Sequence, residues 1–568
     1  MKSKLGSLTK KVLVLVLVLA IMLFYNALVV FASPLDSSTE VTYALDKTEI
    51  TLFMNESTTL TINSSMQNYE VSWSSSDTNV ATVDNDGKII AVDKGTATIK
   101  ATIISESINK ELSCFVNVVY KEFETVSDMK AANLKVGEIV STNGFHQSSI
   151  GGATYEIISG SSNFRTDEMG VIRLNNGKKA KIKIINDSVT VEQFGAYADD
   201  NIDDARCIQA ALNARAADYD NDHNILPGLE ARTTNVEFQQ GKYKCTTNIK
   251  MNTPNVNIIG NSATLSTDDD YTSTSYYFFK VEANNTTISA ITISAMETEV
   301  KGYNTQLGIS NCSNVSITNS SFIVPDRDLF IYDTQTKKSY SNIDLFTYWH
   351  NITIDNCIFT LRHRGPIGGC IWIRDYDNLG CDNLTFTNNT CTKSCNDEIL
   401  ALFKGRIKNV TIDNNTFNMY EEYILNERAS YEPSGIAFTL SSPYSVLLEN
   451  KEHNNINFTR NKVNVETTRK LFNFGNVNGI LIADNIINYK HIVNDKNPPY
   501  LFYSYPRYKL DGENYTECIS DNIEIRNNTI RYNTANDREY ELNKMLIGDY
   551  IIEGNTIGLL PDIDCQWE

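Results

Sequence analysis

The chain has 568 residues, which is more than one hydrophobic core usually organises, so several domains or one elongated repeat body are predicted. Its 50 Lys and Arg residues stand against 69 Asp and Glu residues, giving a formal charge of -19. A charge of that sign would repel a phosphate backbone, which excludes nucleic acid as a partner.

The N-terminus has the features of a bacterial export signal. Four lysines precede an apolar run that starts at Val12 and closes with Val30, Phe31 and Ala32. Residues 1–32 are therefore predicted to be a signal peptide that is cleaved after Ala32. The alternative is an uncleaved anchor, because a span of about 20 residues crosses a bilayer. No other segment is long enough, so a secreted or cell-surface protein without stable membrane insertion after cleavage is predicted.

The eleven cysteines are odd in number and show no metal-binding Cys-x-x-Cys spacing. Cys312, Cys357 and Cys391 occupy repeat positions that hold Ser, Asn or Phe elsewhere, which favours buried free thiols. Bridges from Cys370 to Cys395, or from Cys381 to Cys391, are the alternatives. No metal site is predicted from these residues.

Residues 40–119 alternate apolar and polar side chains in short runs separated by Asp-Gly and Lys-Gly turns. This pattern predicts a small antiparallel sandwich. The passage around Val71-Ser72-Trp73-Ser74 and the following NVATVDNDGKIIAVDKGTATIKAT resemble the group 2 bacterial Ig-like domain, with Trp73 in its core. The resemblance implies a spacer or an adhesive module.

Residues 120–187 are predicted to form a small connecting or cap region. A short helix capped by Ser127 is expected ahead of Met129, and GGATYEII is expected to be a strand. The region resembles the one that precedes the β-helix in phage tailspikes and their bacterial relatives.

Residues 188–568 are predicted to form the main body. It opens with VTVEQFGAYADD, and residues 203–215 have helical spacing with Asp203 or Asp204 in the first turn. These features resemble the N-terminal element of the pectate-lyase superfamily, in which the helix plugs the end of the β-helix. The acidic residues here are interpreted as helix caps.

From Asn255 onward a short motif repeats, with a turn, an alternating strand and a second turn at Asn. Such repeats must stack to bury a face, which predicts an all-β fold, a right-handed single-stranded parallel β-helix behind the Ig-like sandwich. Leucine-rich repeats are rejected because the leucine spacing is missing. Seven asparagines are predicted to stack as an amide ladder: Asn261, Asn389, Asn415, Asn461, Asn485, Asn528 and Asn555.

A functional site in such a body is assembled from neighbouring coils about 4.8 Å apart. Placing each strand at a similar distance ahead of its repeat brings four isoleucines into one inward column: Ile343, Ile371, Ile399 and Ile436. Asp344, Trp372, Arg374 and Glu398 would then share the outward face, with His350, Asp375 and Asp397 at its edges.

These side chains suit a sugar site, because an exposed indole stacks on a pyranose while carboxylates act as acid and base. The predicted catalytic residues are Asp397, Glu398, Asp375 and Arg374. The predicted substrate contacts are Trp372, Asp344, His350, Trp349 and Arg364.

Asp397-Glu398 resembles the acidic pair of polygalacturonases, which implies that one residue is the general acid and that Asp375 or Asp344 activates water. The chain differs from that family in having no His-Gly pair and in placing Arg406-Ile407-Lys408 eight residues after Glu398. In a lyase, as in pectate lyases, Arg374 would be the base and carboxylates would hold Ca²⁺.

The predicted function is therefore a secreted enzyme that cleaves glycosidic bonds of an extracellular polysaccharide, including a uronate-containing one. Hydrolase, lyase and epimerase chemistry remain open. The alternative is a non-catalytic adhesin or tailspike-like receptor binder that grips a cell-surface glycan, and tailspike resemblance also implies a homotrimer.

Overall fold

The structure is a computed structural model that describes most of residues 42–560. The described stretch excludes residues 66–67, 106–107, 163–169, 221, 223, 268–270, 272–274, 276, 295–303, 325–339, 347, 362–367, 374–379, 394–398, 403–406, 421–435, 442–452, 468–469, 476, 492–500, 505–506, 512–513, 519 and 533–547. The chain divides into two compact units, one ending at Val119 and one beginning at Tyr120. The predicted signal peptide lies outside the described residues.

The first unit is an Ig-like sandwich of short, mostly antiparallel strands. Its strands are Tyr43–Leu45, Glu49–Phe53, Ser57–Thr59, Ile62–Ser64, Glu70–Ser75, Ala81–Val83, Lys88–Ala91, Gly95–Ser105 and Ile108–Val119. They form a four-stranded, a three-stranded and a two-stranded sheet. Alternate residues of these strands point into one core, among them the buried Ile89, Ile99 and Val116, and Trp73 packs against this core as predicted.

The second unit begins with a five-stranded sheet. Its strands are Lys121–Phe123, Ile139–Thr142, Thr154–Ile158, Val171–Arg173 and Lys179–Ile182. The predicted short helix is Val126–Ala131, but Thr125 caps it rather than Ser127. The Thr125 hydroxyl accepts from the Asp128 N–H, and the Asp128 carboxylate accepts from the Thr125 N–H. Each side chain therefore supplies the hydrogen-bond acceptor for the backbone N–H of the other residue.

This sheet docks on the first turn of the main body through glycines that allow close backbone approach. Gly151 has a φ of +73°, and a Cβ there would lie 2.0 Å from the Glu192 carbonyl oxygen. The Gln193 side chain donates to the Gly152 carbonyl oxygen at 3.1 Å. The ring of Phe145 lies where a Cβ on Gly195 would be.

We expect Gly151→Ala to destabilise the second unit by about 2–3 kcal/mol, since the methyl group adds a backbone clash to the cost of a left-handed alanine. Gly177→Ala is the matched control, because Gly177 has a φ of +83° with nothing within 4 Å of its Cβ position. That control should lose only about 1 kcal/mol. Equal losses in thermal denaturation would show that the docking contact is unimportant.

The N-terminal end of the main body is covered by the helix Ala205–Leu212, with short 3-10 turns at Val191–Phe194 and Ala216–Asp218. Ile208, Ala211 and Leu212 of the helix are buried against the first coil. Asp203 accepts from the N–H groups of Ala205 and Thr246. The helix therefore plugs the end as expected.

The main body is a parallel β-helix whose coils, or rungs, each contain up to three strands, on faces that we name A, B and C in chain order. The strands of face A are Ser188–Thr190, Thr234–Glu237, Cys312–Thr318, Trp349–Asp355, Cys381–Thr387, Ile407–Asp413, His453–Thr459, Val477–Ala483, Ser520–Arg526 and Gly548–Glu553. Val256–Ser266 and Thr286–Ser294 bend from face A into face B.

Faces B and C follow in the same order along the chain. The other strands of face B are Lys242–Lys244, Ser321–Val324, Ile358–Leu361, Thr390–Lys393, Thr416–Tyr420, Lys462–Thr467, Ile486–His491, Thr529–Tyr532 and Thr556–Leu559. The strands of face C are Ile249–Met251, Tyr277–Val281, Asn304–Ile309, Tyr340–Leu345, Gly368–Ile373, Leu400–Leu402, Ile436–Ser441, Lys470–Gly475 and Phe502–Ser504. A hairpin, Arg507–Asp511 with Asn514–Cys518, follows face C. The prediction of a parallel β-helix behind an Ig-like sandwich is confirmed.

Asparagine dominates the bends because the backbone there is left-handed. The first bend lies within face A, at residues such as Asn351 and Asn383, and the second lies at the A–B corner, at residues such as Asn356 and Asn414; all have φ between +50° and +60°. Asn adopts this conformation more readily than other side chains, and Gly479 replaces it in one rung.

The predicted amide ladder forms directly after the second bend, from Asn389 to Asn555. In each step the backbone N–H and Nδ2 of one Asn donate to the Oδ1 of the Asn in the next rung, at 2.8–3.1 Å. Asn261 is outside the ladder, which corrects one of the seven predicted members. Its corner is three residues long, so Ala263 aligns with the ladder column and the Asn261 Nδ2 donates to the Phe238 carbonyl oxygen instead.

Inside the rungs, aromatic rings pack across the corner between faces A and B. Phe359 and Phe417 on face B alternate with Phe386 and Phe458 on face A, with neighbouring centroids 5.7–6.4 Å apart. The eight cysteines of the described residues whose thiols are placed are all free, including Cys370, Cys381 and Cys391. The proposed Cys381–Cys391 bridge is absent, while Cys395, the proposed partner of Cys370, lies outside the described residues; the prediction of buried thiols holds for the eight except half-buried Cys207.

The predicted inward column on face C is half right. Ile343 pairs with Ile371, but Ile371 then pairs with Leu400, and Leu400 pairs with Phe438. Ile399 and Ile436 are thus out of register by one and two residues. The connections from face C to face A range from one residue (476) to eleven (442–452), so counting back from the next repeat fails.

The inward columns reach solvent at the last described rung. Tyr550, Ile557 and Leu559 continue the columns of Ile523, Ile530 and Tyr532, yet Leu559 is 63% exposed. No helix in the described part of the chain is long and apolar enough to span a membrane.

Candidate functional site

Face C is the face that long connections border on both sides. The A–B corner has two residues in every rung from Thr318 to Thr556, as the ladder requires. The connections from face B to face C have up to fifteen residues (325–339 and 421–435), and those from face C to face A have up to eleven before the hairpin. Binding residues concentrate where loops vary on a rigid scaffold, which makes face C the candidate site.

One outward column runs along the middle of face C. Its backbone positions pair in the order Lys280, Gly308, Asp344, Trp372, Ala401, Thr439, Asn473 and Tyr503. The predicted alignment of Asp344 with Trp372 is therefore correct at the level of the backbone. The side chain of Asp344 lies outside what the structure describes.

Trp372 is less accessible than predicted. Its neighbours Ile371 and Ile373 point into the core, so the indole is on the outer side of the sheet, but only 9% of the residue is exposed. Asn473, in the same column, is 2% exposed. A residue that points outward from a strand is exposed to solvent only where no other residue covers it. The alternation of residues along a strand does not show whether such a covering residue is present.

The upstream end of face C is filled by aromatic and charged side chains. The rings of Tyr277 and Phe346 stack at 4.7 Å and 5°, and the Tyr277 ring occupies the space that a Cβ on Gly308 would need. Lys280 Nζ lies 5.4 Å from the Phe346 centroid and 2.6 Å from Glu282 Oε1. Each of the two rings therefore covers one face of the other, which leaves at most one face of each for a sugar.

Trp349 is a wrong prediction as a substrate contact, because it is fully buried. The left-handed Asn351 interrupts the alternation, so Trp349 points inward like Ile352, three residues later. His350 is half-buried on face A, where its backbone pairs with Asp382 and its ring meets the edge of Tyr348 at 4.9 Å. It therefore lies beyond the corner from Trp372, on a different face.

The other five predicted site residues are in connections between strands. Arg364, Arg374, Asp375, Asp397 and Glu398 lie outside the described residues. Each belongs to a connection that borders face C, since 362–367 and 394–398 follow face B and 374–379 follow face C.

Lys280, Glu282, Tyr277 and Phe346 were missed by the sequence reasoning. The alternation in YFFKV, residues 277–281, could have indicated that Lys280 points outward. Within the described residues, no group of three or more His, Cys, Asp or Glu side chains is placed to hold a metal ion.

Comparisons with known proteins give one family match and several distant likenesses. The profile of the bacterial Ig-like domain (group 2) matches residues 39–113. An uncharacterised protein of Clostridium acetobutylicum is 37% identical over 112 residues, and the match covers 19% of this chain and 12% of that protein. The chain therefore matches only about an eighth of that relative's length.

Two solved structures are similar at low identity. The full-length tailspike protein 2 from Escherichia coli O157:H7 bacteriophage CAB120 is 10% identical, with a TM-score of 0.35, covering 83% of this chain and 56% of that one. A hyperthermoactive exopolygalacturonase from Thermotoga maritima is 11% identical, with a TM-score of 0.37, covering 66% and 93%. The fold assignment rests on the strand pairings described above.

Proposed function

We propose that the chain is an exported protein that binds an extended extracellular polysaccharide along face C and cleaves it there. The observation that carries the proposal is the difference in connection lengths: the A–B corner has two residues in every rung from Thr318 to Thr556, while the connections on both sides of face C vary in length and contain most of the predicted reactive residues. A rigid sheet bordered by connections of variable length suits the recognition of a polymeric ligand.

In this proposal, Asp397 and Glu398, in the connection that precedes Leu400–Leu402, supply the general acid. Asp375, in the connection that follows Gly368–Ile373, or Asp344, in a strand of face C, activates water, and the small exposed part of Trp372 contacts a sugar ring. Carboxyl groups about 5–9.5 Å apart would support retaining or inverting hydrolysis. Arg374 would instead take the proton in a lyase, with Ca²⁺ neutralising a uronate. His350, on face A, is no longer part of the proposed site.

A second function, glycan binding without cleavage, is favoured by one observation. Among the positions paired in the outward column of face C, from Lys250 to Tyr503, Asp344 is the single carboxylate residue. A column with one carboxylate lacks the carboxylate pair that hydrolysis uses, so it suits holding a ligand. The Ig-like domain fits either function as a spacer or adhesive unit.

The test is incubation of the exported protein with plant and bacterial polysaccharides, while reducing ends and absorbance near 235 nm are followed. New reducing ends alone indicate hydrolysis, and both signals together indicate elimination. Retention of a glycan without either signal, with and without Ca²⁺, would replace the enzyme by the binder. No binding to any glycan would reject both.

We expect Glu398→Gln to lower the cleavage rate at least tenfold, because the amide cannot transfer a proton. Asp355→Asn is the matched control, since Asp355 is on face A and accepts from Thr387 Oγ1 and Asn388 Nδ2. The control should keep the wild-type rate. Equal rates in wild type and Glu398→Gln would remove Glu398 from the proposed mechanism.

A further inference from the structure

Two buried thiols meet where face C of one rung passes face B of the next. Cys370 lies in Gly368–Ile373 and Cys391 lies in Thr390–Lys393. Cα atoms of these two strands come within 8 Å of each other. Disulfides join Cα atoms about 4.4–6.8 Å apart, so a bridge requires that the two neighbouring strands bring these Cα atoms within that range. Both residues have no exposed surface.

The side chains point toward each other. The Cys370 Sγ lies 3.9 Å from the carbonyl oxygen of Thr392, the residue after Cys391. The Cys370 thiol is also close enough to that of Cys391 to contribute to the raised pKa of Cys391. Cys357, the other nearby thiol, is turned to its own corner, where its Sγ is 3.3 Å from the Asp355 carbonyl oxygen and 3.6 Å from that of Ile317.

We propose that Cys370 and Cys391 are a disulfide-forming pair that joins face C of one rung to face B of the next. The oxidant is a small-molecule or protein disulfide. Each thiol loses a proton, one sulfur–sulfur bond forms between the cysteines, and the two electrons reduce the oxidant to two thiols.

The bridge forms while these rungs are assembling. Burial raises the pKa of the Cys391 thiol, so the reactive thiolate is disfavoured once the core has closed. The same burial protects the finished bond from soluble reductants. The closed loop carries Trp372, and the bridge therefore ties the central strand of the candidate site to the rung that follows it.

The test is refolding of the full chain in a buffer of oxidised and reduced glutathione, followed by alkylation under denaturing conditions and peptide mapping. We expect a peptide pair linked through Cys370 and Cys391, with a mass two hydrogens below that of the free peptides. Loop closure of this length should lower the unfolding equilibrium constant roughly a hundredfold. The melting temperature should accordingly be higher before reduction than after it.

Cys370→Ser and Cys391→Ser should each abolish the link, while Cys381→Ser, at a buried position in the intervening strand, should keep it. Because the wild-type map alone decides the matter, variants that fail to fold do not affect the result. A map in which both thiols are alkylated, or in which Cys391 is linked to Cys357, would overturn the proposal.

Discussion

Asn461→Ala is expected to destabilise the β-helix by about 4 kcal/mol. The Asn461 Oδ1 accepts from the backbone N–H and Nδ2 of Asn415, and its own Nδ2 donates to the Ile412 carbonyl oxygen and to Asn485 Oδ1. Alanine leaves the buried Asn415 N–H without an acceptor, and it removes a donor from the Ile412 carbonyl oxygen and from Asn485 Oδ1. Each such group costs about 1–3 kcal/mol.

The matched control is Asn383→Gly, which removes an amide from the exposed bend. Asn383 Nδ2 donates to Asn351 Oδ1 at 2.9 Å, and glycine tolerates its φ of +60°. Its loss should stay below about 1 kcal/mol because water replaces the exposed amide. Thermal and urea denaturation of the three proteins measure the difference. Equal stabilities of the two variants would mean that the buried ladder contributes no more than the exposed one.

Asp204→Asn is expected to remove a pH dependence of stability worth about 4 kcal/mol between pH 4 and pH 7. Asp204 is 2% exposed, and burial, together with the charges of Asp200 and Asp203, raises its pKa to about 7. Its Oδ1 accepts from the Tyr197 N–H at 2.8 Å. In the folded state the carboxyl group therefore holds a proton that the unfolded chain releases near pH 4.

The direction of the pH dependence follows from the difference between the folded and unfolded pKa values of Asp204. A raised pKa stabilises the fold fully below the unfolded value, and this contribution is lost as the pH rises through about 7. Wild type should therefore lose stability across this window, whereas Asp204→Asn should be flatter. Asp355→Asn, whose carboxylate is on face A, should follow wild type. Parallel curves for wild type and Asp204→Asn would show that Asp204 is ionised throughout.

The fold was predictable because Asn recurs at the bends and in the ladder in most rungs. A left-handed bend selects Asn in sequence, and the buried Nδ2 of Asn415 or Asn485 donates both to the next Asn and to a main-chain carbonyl oxygen of the preceding rung. The prediction for Asn261 failed because the spacing in the sequence does not show the length of its A–B corner. Three residues precede the ladder position there, whereas one precedes it in the later rungs.

The site was less predictable because it depends on what covers a face and on how long each connection is. Trp349 and Trp372 both lie in strands, yet a left-handed Asn351 turns the first inward and the second is largely covered. Ile371 pairs with Leu400 because connection lengths differ between rungs. Neither the covering of a face by other residues nor the register between rungs can be derived from a short stretch of sequence.

The aligned side-chain amides of the ladder also have a net dipole along the β-helix. Every side-chain carbonyl oxygen from Asn389 to Asn555 accepts from the preceding rung, while the Nδ2 of each Asn before Asn555 donates to the Asn of the following rung and to a main-chain carbonyl oxygen of the preceding one. Strand backbones contribute little net dipole along this direction, so the aligned side-chain carbonyls add to one another, and each amide polarises the next. The row is therefore a side-chain counterpart of a helix dipole, with its negative end toward the N-terminal plug.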